Sequence, residues 1–352
     1  MSIAAARTGT WITSAAKNII LNPVLTGPLL WLLTKAPVGY RSSFIDILGP
    51  LMNTANSTRF VNHLKIAFAL GIIRGLNWAF NLWALAKWST KKTNWVWNEE
   101  IAIVTGGCRG IGMLIVDGLV TRGVKVVILD VSDLPARFQS HKQIMYFQCD
   151  ITKESTVMEV AMNVKDSLGT PTVLVNNAGI CGNKTILDTS EEYLHRIFDV
   201  NILAHFYTVK AFLPDMLKAR KGHIVTIASG AGFITVANMV DYCATKAAAL
   251  SFHEGLGQEL KHRYCVPEVL TTCVHPHWTK TPMLNAFEDS LIATKQFILK
   301  PETTADAVVK QIISGKSGQL IIPEAFSLAS ALRGLPHWLQ EGFRDSLGKS
   351  VV

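Results

Sequence analysis

Tyr242 and Lys246 stand four residues apart in the segment Tyr-Cys-Ala-Thr-Lys. On an α-helix this spacing places a phenol and an ammonium on the same face. A phenol titrates near pH ~10 and is a poor base at neutral pH, but a neighbouring positive charge favours the phenolate. The pair could therefore exchange a proton with a substrate hydroxyl or carbonyl, which predicts general acid–base chemistry at Tyr242.

A glycine-rich loop supplies the second part of a candidate site. The loop Thr105–Gly112 (TGGCRGIG) follows the apolar run Ile101–Val104 and opens a helical pattern from Ile111 to Arg122. A second apolar run, Lys125–Leu129, ends in Asp130. Glycines let the backbone approach a pyrophosphate, the helix N-terminus offers N–H groups to it, and a carboxylate at this distance takes the ribose hydroxyls. This order of elements predicts a dinucleotide site.

Short apolar runs alternate with apolar-periodic helices over residues 98–325. Such a pattern indicates a parallel sheet covered on both faces. We therefore predict a doubly wound α/β (Rossmann) fold of about seven strands, with the ligand beyond the carboxyl ends of the strands. The predicted strands are Ile101–Val104, Lys125–Leu129, Ile144–Cys149, Thr172–Asn176, His223–Ala228, Val269–His275 and Gln319–Ile322, and further predicted helices are Glu191–Arg220, interrupted at Pro214, and Asp241–Arg263.

Taken together, these motifs resemble the short-chain dehydrogenase/reductase family over roughly residues 99–325. The layout is similar to the membrane-attached subgroup that contains retinol and 17-beta-hydroxysteroid dehydrogenases. One position departs from the family, because His277 follows Pro276 where the family usually has Gly. The matching residues are the glycine loop Thr105–Gly112, the Asn-Asn-Ala-Gly motif at 176–179, the catalytic Asn at Asn201, the catalytic Ser at Ser229, and the pair Tyr242 and Lys246.

The resemblance implies an NAD(P)-dependent oxidoreductase that interconverts an alcohol and its carbonyl. In that role Tyr242 exchanges the substrate proton, and Lys246 lowers its pKa and binds the nicotinamide ribose. Ser229 holds the substrate oxygen, and Asn201 supports a water that connects Lys246 to solvent. The implied cofactor-binding set is Thr105, Gly106, Gly107, Arg109, Gly110, Ile111, Gly112, Asp130, Asp150, Ile151, Asn177, Ala178, Gly179, Tyr242, Lys246, Pro276, Thr279 and Thr281.

Two residues near the ribose favour different cofactors. Asp130 would accept both ribose hydroxyls of NAD and repel a 2′-phosphate, since two like charges ~4 Å apart cost roughly 4 kcal/mol at an effective dielectric constant of ~20. Arg109 resembles the basic residue that NADP-using relatives carry before the second glycine. We favour NAD(H) because Asp130 is followed by Val131 and not by Arg. NADP(H) stays open as the alternative.

Residues 1–97 differ in composition from the rest of the chain. They hold ten Lys and Arg, one acidic residue (Asp46) and seven of the nine Trp, so they carry +9 of formal charge and leave −1 for the remainder. A basic, Trp-rich and acid-poor segment is typical of proteins at an anionic membrane surface. We expect three parts: a membrane-associated extension at 1–97, a catalytic domain at 98–325 and a C-terminal tail at 326–352.

Two apolar stretches within the extension differ in length. Ile19–Leu33 contains two prolines and is too short to cross a bilayer, which needs ~20 residues. Ile66–Trp88 is long enough, and it either spans or lies in the interface, with Arg74, Asn77 and Asn81 forming one polar stripe. A soluble amphipathic arm and a mitochondrial transit segment are the alternatives. We expect the enzyme on the endoplasmic reticulum or a lipid droplet, with its catalytic domain in the cytosol.

A membrane-attached catalytic domain favours a lipophilic substrate such as a retinoid, a steroid or a long-chain lipid. The segment Met283–Lys300 would form a lid lined by Phe287, Leu291 and Phe297. A soluble-substrate carbonyl reductase and a membrane-tethered nucleotide-binding scaffold without turnover are the alternatives. The six cysteines form no Cys-x-x-Cys motif and are expected as reduced thiols. We expect membrane lipid as a partner, allow for a homodimer, and expect neither a metal nor a nucleic acid.

Overall fold

The chain divides into two compact units, Met1–Ala84 and Leu85–Val352. The structure is a computed structural model that describes residues 18–48, 54–89, 91 and 93–348, without the side chains of 47–48, 54–56 and 348. Residues 85–97, assigned above to the extension, belong to the second unit. Lys87 Nζ donates to the carbonyl of Val269 at 2.8 Å, and Trp95 stacks on Trp97 beside the core of that unit, with 5.0 Å between ring centroids.

The described residues of the N-terminal unit form α1 at Pro23–Thr34, α2 at Val38–Leu48 and α3, which begins at Thr54 and ends at Leu85. Helices α1 and α3 run antiparallel and approach closely. A Cβ atom at Gly71 would lie 2.6 Å from the carbonyl oxygen of Leu21, and one at Gly27 would lie 3.0 Å from Phe68. Arg74 pairs across the same contact, donating from Nη2 to Asn18 Oδ1 at 2.8 Å. Small residues at such a crossing allow two helices to pack tightly.

Helix α3 begins earlier and ends earlier than the predicted stretch Ile66–Trp88. Among the described residues, one helix, Ser57–Leu85, is long and apolar enough by length and composition to cross a membrane. From Ile72 to Leu85 every side chain is exposed. A helix that exposes so many apolar side chains is normally covered, either by protein or by lipid.

The second unit is built on one seven-stranded sheet in the order β3-β2-β1-β4-β5-β6-β7, and every strand pair is parallel. The order reverses between β1 and β4, which is where a doubly wound fold binds its ligand. The predicted fold class is confirmed. The strands are β1 Ile101–Thr105, β2 Lys125–Asp130, β3 Ile144–Gln148, β4 Val173–Asn176, β5 Gly222–Ile227, β6 Val269–Pro276 and β7 Gly318–Ile322.

Helices cover both faces of the sheet. They are α4 Gly110–Val120, α5 Glu154–Leu168, α6 Glu191–Phe198, α7 Ala204–Ala219, α8 Val240–His262, α9 Glu288–Ala293, α10 Pro301–Ile313 and α11 His337–Gly348. The interruption predicted at Pro214 is wrong. Pro214 lies inside α7, and the break falls at a π-helical turn, Asp199–Leu203. A π turn inserts one residue into the helical ladder without requiring a proline.

Two apolar layers enclose the sheet. One joins α4 and α10 through residues such as Leu119 and Val308, and the other joins α5, α7 and α8 through residues such as Val160 and Leu256. Each large aliphatic side chain buried in these layers contributes about 1.5–3 kcal/mol. A Cβ atom at Gly118 would lie 2.8 Å from Val309, so this glycine lets α4 and α10 pack closely.

Three histidines are buried in this unit with little hydrogen bonding. Burial lowers the pKa of His205, His223 and His253 to about 3. His253 contacts the hydroxyl of Thr226 at 3.1 Å and His223 that of Thr272 at 2.8 Å. Neither ring nitrogen of His205 has a hydrogen-bond partner among the described residues. All three rings are therefore neutral in the folded protein at neutral pH.

We predict that the free energy of unfolding falls as the pH drops below about 6.5, the ordinary histidine pKa. Between that pH and about 3 the unfolded chain binds more protons than the folded chain, so each histidine costs about 1.4 kcal/mol per pH unit. Thermal unfolding at several pH values measures this slope. His205→Leu should reduce this slope by about the contribution of one histidine, and exposed His262→Leu serves as the matched control. Equal slopes in the wild type and His205→Leu would contradict this.

Candidate active site

A hydrogen-bonded clamp joins the ends of β1 and β4. Thr105 Oγ1 accepts from the backbone N–H groups of Asn177 and Ala178 at 3.0 and 3.1 Å. In return, Asn177 Nδ2 donates to the carbonyls of Thr105 and Gly106 at 2.9 and 3.1 Å. The clamp holds the glycine loop against the Asn-Asn-Ala-Gly segment at the point where the strand order reverses.

The glycine loop leaves no room for side chains behind it. A Cβ atom at Gly112 would lie 2.2 Å from the carbonyl oxygen of Gly106 and 2.4 Å from Asn177 Nδ2. Gly106 itself has a φ of 65°, a conformation that favours glycine. Arg109 is the N-cap residue of α4, and its side chain makes no capping hydrogen bond to the helix, so the first-turn N–H groups remain available to an anion. The loop fits the pyrophosphate of a dinucleotide.

The Asp130 carboxylate is fixed by two backbone donors. Its Oδ2 accepts from Cys108 N and its Oδ1 from Ser132 N, each at 2.9 Å. Arg109 reaches across and donates from its guanidinium to the hydroxyl of Ser132. The sequence did not single out Ser132, because a serine after a strand is common in loops. Arg109, which would favour NADP(H), and Asp130, which would favour NAD(H), are thus both hydrogen-bonded to Ser132.

Asp150 and Ile151 lie at the next corner of the site, after β3. Asp150 Oδ1 accepts from the backbone N–H and the hydroxyl of Thr152 at 3.1 and 2.7 Å. Burial raises the pKa of Asp150, but the hydrogen bonds from Thr152 and the nearby Lys153 outweigh it, so the pKa lies below its ordinary value. Asp150 is therefore an ionised acceptor at neutral pH.

Tyr242 and Lys246 share one face of α8, as the spacing predicts. Lys246 Nζ lies 5.6 Å from the centre of the Tyr242 ring and donates to the carbonyl of Ile227 at 2.9 Å. Burial raises the pKa of Tyr242, and its hydrogen bond with Ser229 only partly offsets this. We expected Lys246 to lower the pKa of Tyr242, but the structure gives a raised pKa. Burial also lowers the pKa of Lys246 to about 8, because an ammonium loses solvation there.

Ser229 follows β5 and begins a short 3₁₀ turn. Its Oγ accepts from Ala231 N at 3.1 Å, and its carbonyl contacts His275 Nδ1 at 3.2 Å. Gln319 Nε2 lies 3.3 Å from His275 Nε2. A proton on Nδ1 satisfies both contacts, with Nδ1–H donating to Ser229 and Nε2 accepting from Gln319. The backbone at Ser229 is therefore held from β6 and β7.

Asn201 lies in the π turn and is fully buried. Its Oδ1 accepts from Ile180 N at 2.8 Å, and its Nδ2 donates to the carbonyl of Ile180 at 2.9 Å and to Thr245 Oγ1 at 3.0 Å. A Cβ atom at Gly179 would lie 3.3 Å from Asn201 Oδ1 and 3.5 Å from Lys246 Nζ. Asn201 thus fixes the loop after β4 beside Lys246.

One cavity of about 1250 Å³ connects these residues. Four of the predicted site residues do not line this cavity and support its wall from behind: Thr105, Gly107, Gly112 and Asn201. The predicted site residues on its wall are Gly106, Arg109, Gly110, Ile111, Asp130, Asp150, Ile151, Asn177, Ala178, Gly179, Ser229, Tyr242, Lys246, Pro276, Thr279 and Thr281. Among the described residues, no cluster of His, Cys, Asp or Glu could hold a metal ion.

Besides the site residues, many apolar side chains line the cavity. Of the three lid residues expected there, Phe287 lines the cavity, whereas Leu291 and Phe297 do not. Leu291 is buried in the cluster behind the wall, and Phe297 is exposed to solvent. The sequence missed several apolar lining residues, including Cys181, Phe233, Met239, Trp278, Phe326 and Leu347.

The short chain dehydrogenase family model matches residues 100–291. The chain belongs to the short-chain dehydrogenase family. It is 38% identical over 222 residues to Dehydrogenase RED2 of Cochliobolus heterostrophus, covering 61% of this chain and 82% of the relative. It is 30% identical over 258 residues to Estradiol 17-beta-dehydrogenase 11 of Rattus norvegicus, covering 72% of this chain and 84% of the relative.

Solved structures share the fold. A 4-hydroxyisoleucine dehydrogenase complexed with NADH superposes with a TM-score of 0.58 at 17% identity, covering 63% of this chain and 96% of that one. A 3-ketoacyl-(acyl-carrier-protein) reductase from Brucella melitensis complexed with NADH superposes with a TM-score of 0.57 at 24% identity, covering 64% of this chain and 98% of that one. Family membership makes this chain an NAD(P)-dependent oxidoreductase that acts on an alcohol or its carbonyl.

We predict that Asp130→Asn raises the ratio of NADP(H) to NAD(H) affinity by at least about tenfold, because it removes the charge that repels a 2′-phosphate. Asparagine keeps one of the two acceptor oxygens, so it can still accept from Cys108 N or from Ser132 N, but not from both. Cofactor titration followed by NADH and NADPH fluorescence measures the ratio. Exposed Asp133→Asn is the matched control. Tighter binding of NADPH by the wild type would show that Arg109 dominates.

Proposed function

We propose that this oxidoreductase acts on a lipophilic alcohol or carbonyl, such as a retinoid, a steroid or a long-chain lipid. One observation carries the proposal: Ser229, Tyr242 and Lys246 meet on the wall of a cavity of about 1250 Å³ that apolar side chains such as Phe233, Met239 and Trp278 also line. Apolar walls favour apolar ligands, while a few polar groups orient the reacting atom. The similarity to a relative named for estradiol is consistent with this class.

Each polar group has a distinct role in the proposed reaction. Ser229 and Tyr242 share a hydrogen bond, so a substrate oxygen between them would be held by one hydroxyl and would exchange its proton with the other. Lys246 supplies positive charge beside the ring, and Asn201 keeps the loop next to Lys246 in place. A bound nicotinamide would give or take the hydride.

The backbone of the glycine loop and Asp130 would bind the cofactor. Asp130 keeps its carboxylate at the ribose end of the loop through Cys108 N and Ser132 N, which favours NAD(H). Arg109 is engaged with Ser132, which leaves it less available to a 2′-phosphate. These contacts support NAD(H) as the preferred cofactor.

Residues Ser57–Leu85 support a membrane attachment, since this helix is long and apolar enough to cross a membrane and every side chain from Ile72 to Leu85 is exposed. We propose that this segment holds the enzyme on the endoplasmic reticulum or a lipid droplet, with the catalytic unit in the cytosol. Membrane lipid would then be its partner, and a homodimer remains a prediction from the sequence. Recovery of full-length protein in the soluble fraction without detergent would contradict the attachment.

We predict that Tyr242→Phe loses at least ~100-fold in turnover, the low end for a positioned acid–base group, because the hydroxyl supplies the proton while the ring only packs. Turnover of detergent-solubilised protein with retinal, a 17-ketosteroid and a long-chain aldehyde measures it. Cofactor affinity should stay the same. Tyr264→Phe, an exposed tyrosine on the same unit, is the control. Wild-type rates in Tyr242→Phe would assign the proton transfer to another group.

A further inference from the structure

His277 occupies the position after Pro276 where the family usually has glycine, and the reaction proposed above does not use it. Its ring stacks on Phe326, with 4.2 Å between ring centroids and 21° between ring planes. Its backbone N–H donates to the carbonyl of Ile322 at 2.8 Å. Burial lowers the pKa of His277 to about 4, so the stacked ring is neutral at neutral pH. The side chain thus joins the loop after β6 to a segment further along the chain.

That segment, residues 324–347, is called the C-terminal strap here. It consists of a 3₁₀ stretch, Glu324–Gly334, followed by α11. A second attachment fixes it, because Arg333 donates from Nη2 to the carbonyl of Gly232 at 3.1 Å and from Nε to that of Phe233 at 3.3 Å. Gln340 Nε2 donates to the carbonyl of Leu335 at 2.7 Å and ties α11 to the stretch before it. The predicted tail is therefore folded onto the catalytic unit.

Three residues of the C-terminal strap line the cavity: Phe326, Ala329 and Leu347. All three are apolar, and none can orient a reacting atom through a hydrogen bond. Phe326 is the one that stacks on His277, so the same side chain fastens the strap and forms part of the wall. The strap therefore offers an apolar surface whose Phe326 is held in place by residue 277.

We propose that His277 determines substrate specificity by fastening the C-terminal strap, whose apolar residues bind the part of an elongated apolar substrate that lies away from the reacting oxygen. This inference rests on the proposed function for the substrate class. Glycine at position 277 would leave Phe326 without its stacking partner. A short carbonyl compound, which does not reach the strap, would bind equally well in either case.

Hydrogen–deuterium exchange of the full-length protein tests the attachment without any turnover. In His277→Gly, amides of residues 324–347 should exchange faster than in the wild type, while the glycine loop keeps its rate. His277→Phe, which retains an aromatic ring for Phe326, should restore protection. Trp338→Ala, an exposed residue of the strap outside the cavity wall, is the control. Unchanged exchange in His277→Gly would overturn the proposal.

Kinetics with NADH and two aldehydes test the specificity. For hexadecanal, KM of His277→Gly should rise about 3- to 10-fold, the factor expected for the loss of one aromatic contact. For butanal, KM should be unchanged, and kcat for both should stay near the wild-type value. An equal change for both aldehydes, or no change for hexadecanal, would overturn the role in specificity. Absence of turnover by the wild type would contradict the proposed function instead, and the exchange experiment would still decide the attachment.

Discussion

The hydrogen bonds between Thr105 and Asn177 are the interaction on which the rest of the site depends. They join β1 and β4 at the reversal of strand order, and they bring Gly106, Asn177 and Gly112 so close that no Cβ atom fits at position 112. The start of α4 can then present its N–H groups at the strand ends. Residues 178–180, held by the same clamp, lead directly to Asn201 and to the cavity wall beside Lys246.

Burial decides the electrostatics of the reacting groups. It raises the pKa of Tyr242 and lowers that of Lys246, so both groups favour their neutral forms more than they would in water. A positively charged neighbour therefore does not make Tyr242 acidic here, and its hydrogen bond with Ser229 only partly offsets the effect of burial. His275 contacts the backbone carbonyl of Ser229, and Gln319 holds His275 in turn. These contacts keep the Ser229 hydroxyl within reach of Tyr242.

Much of this organisation was accessible from the sequence, and the parts that were not have physical reasons. The strands were predictable because buried parallel strands are continuous apolar runs, and the site motifs lie at their ends. The position of the break in the helices was not predictable. A π turn has no characteristic residue type, and Pro214, which was expected to mark a break, lies inside α7. Leu291 and Phe297 could not be told from Phe287, since all three are apolar and only packing decides which one lines the cavity. The C-terminal strap was missed because the contact between His277 and Phe326 joins residues far apart in the chain.

The central claim is that a hydride passes between a nicotinamide held at the strand ends and a carbonyl held by Ser229 and Tyr242. The most direct measurement uses NADH deuterated at C4 on one face or the other, with solubilised protein and a lipid extract supplemented with retinal, a 17-ketosteroid and hexadecanal. Mass spectrometry of the alcohols follows the label. The account predicts that deuterium enters one alcohol or more from a single face of the cofactor, and that Tyr242→Phe nearly abolishes this transfer. Equal labelling by the wild type and Tyr242→Phe, or no labelled alcohol from protein that binds NADH, would contradict it.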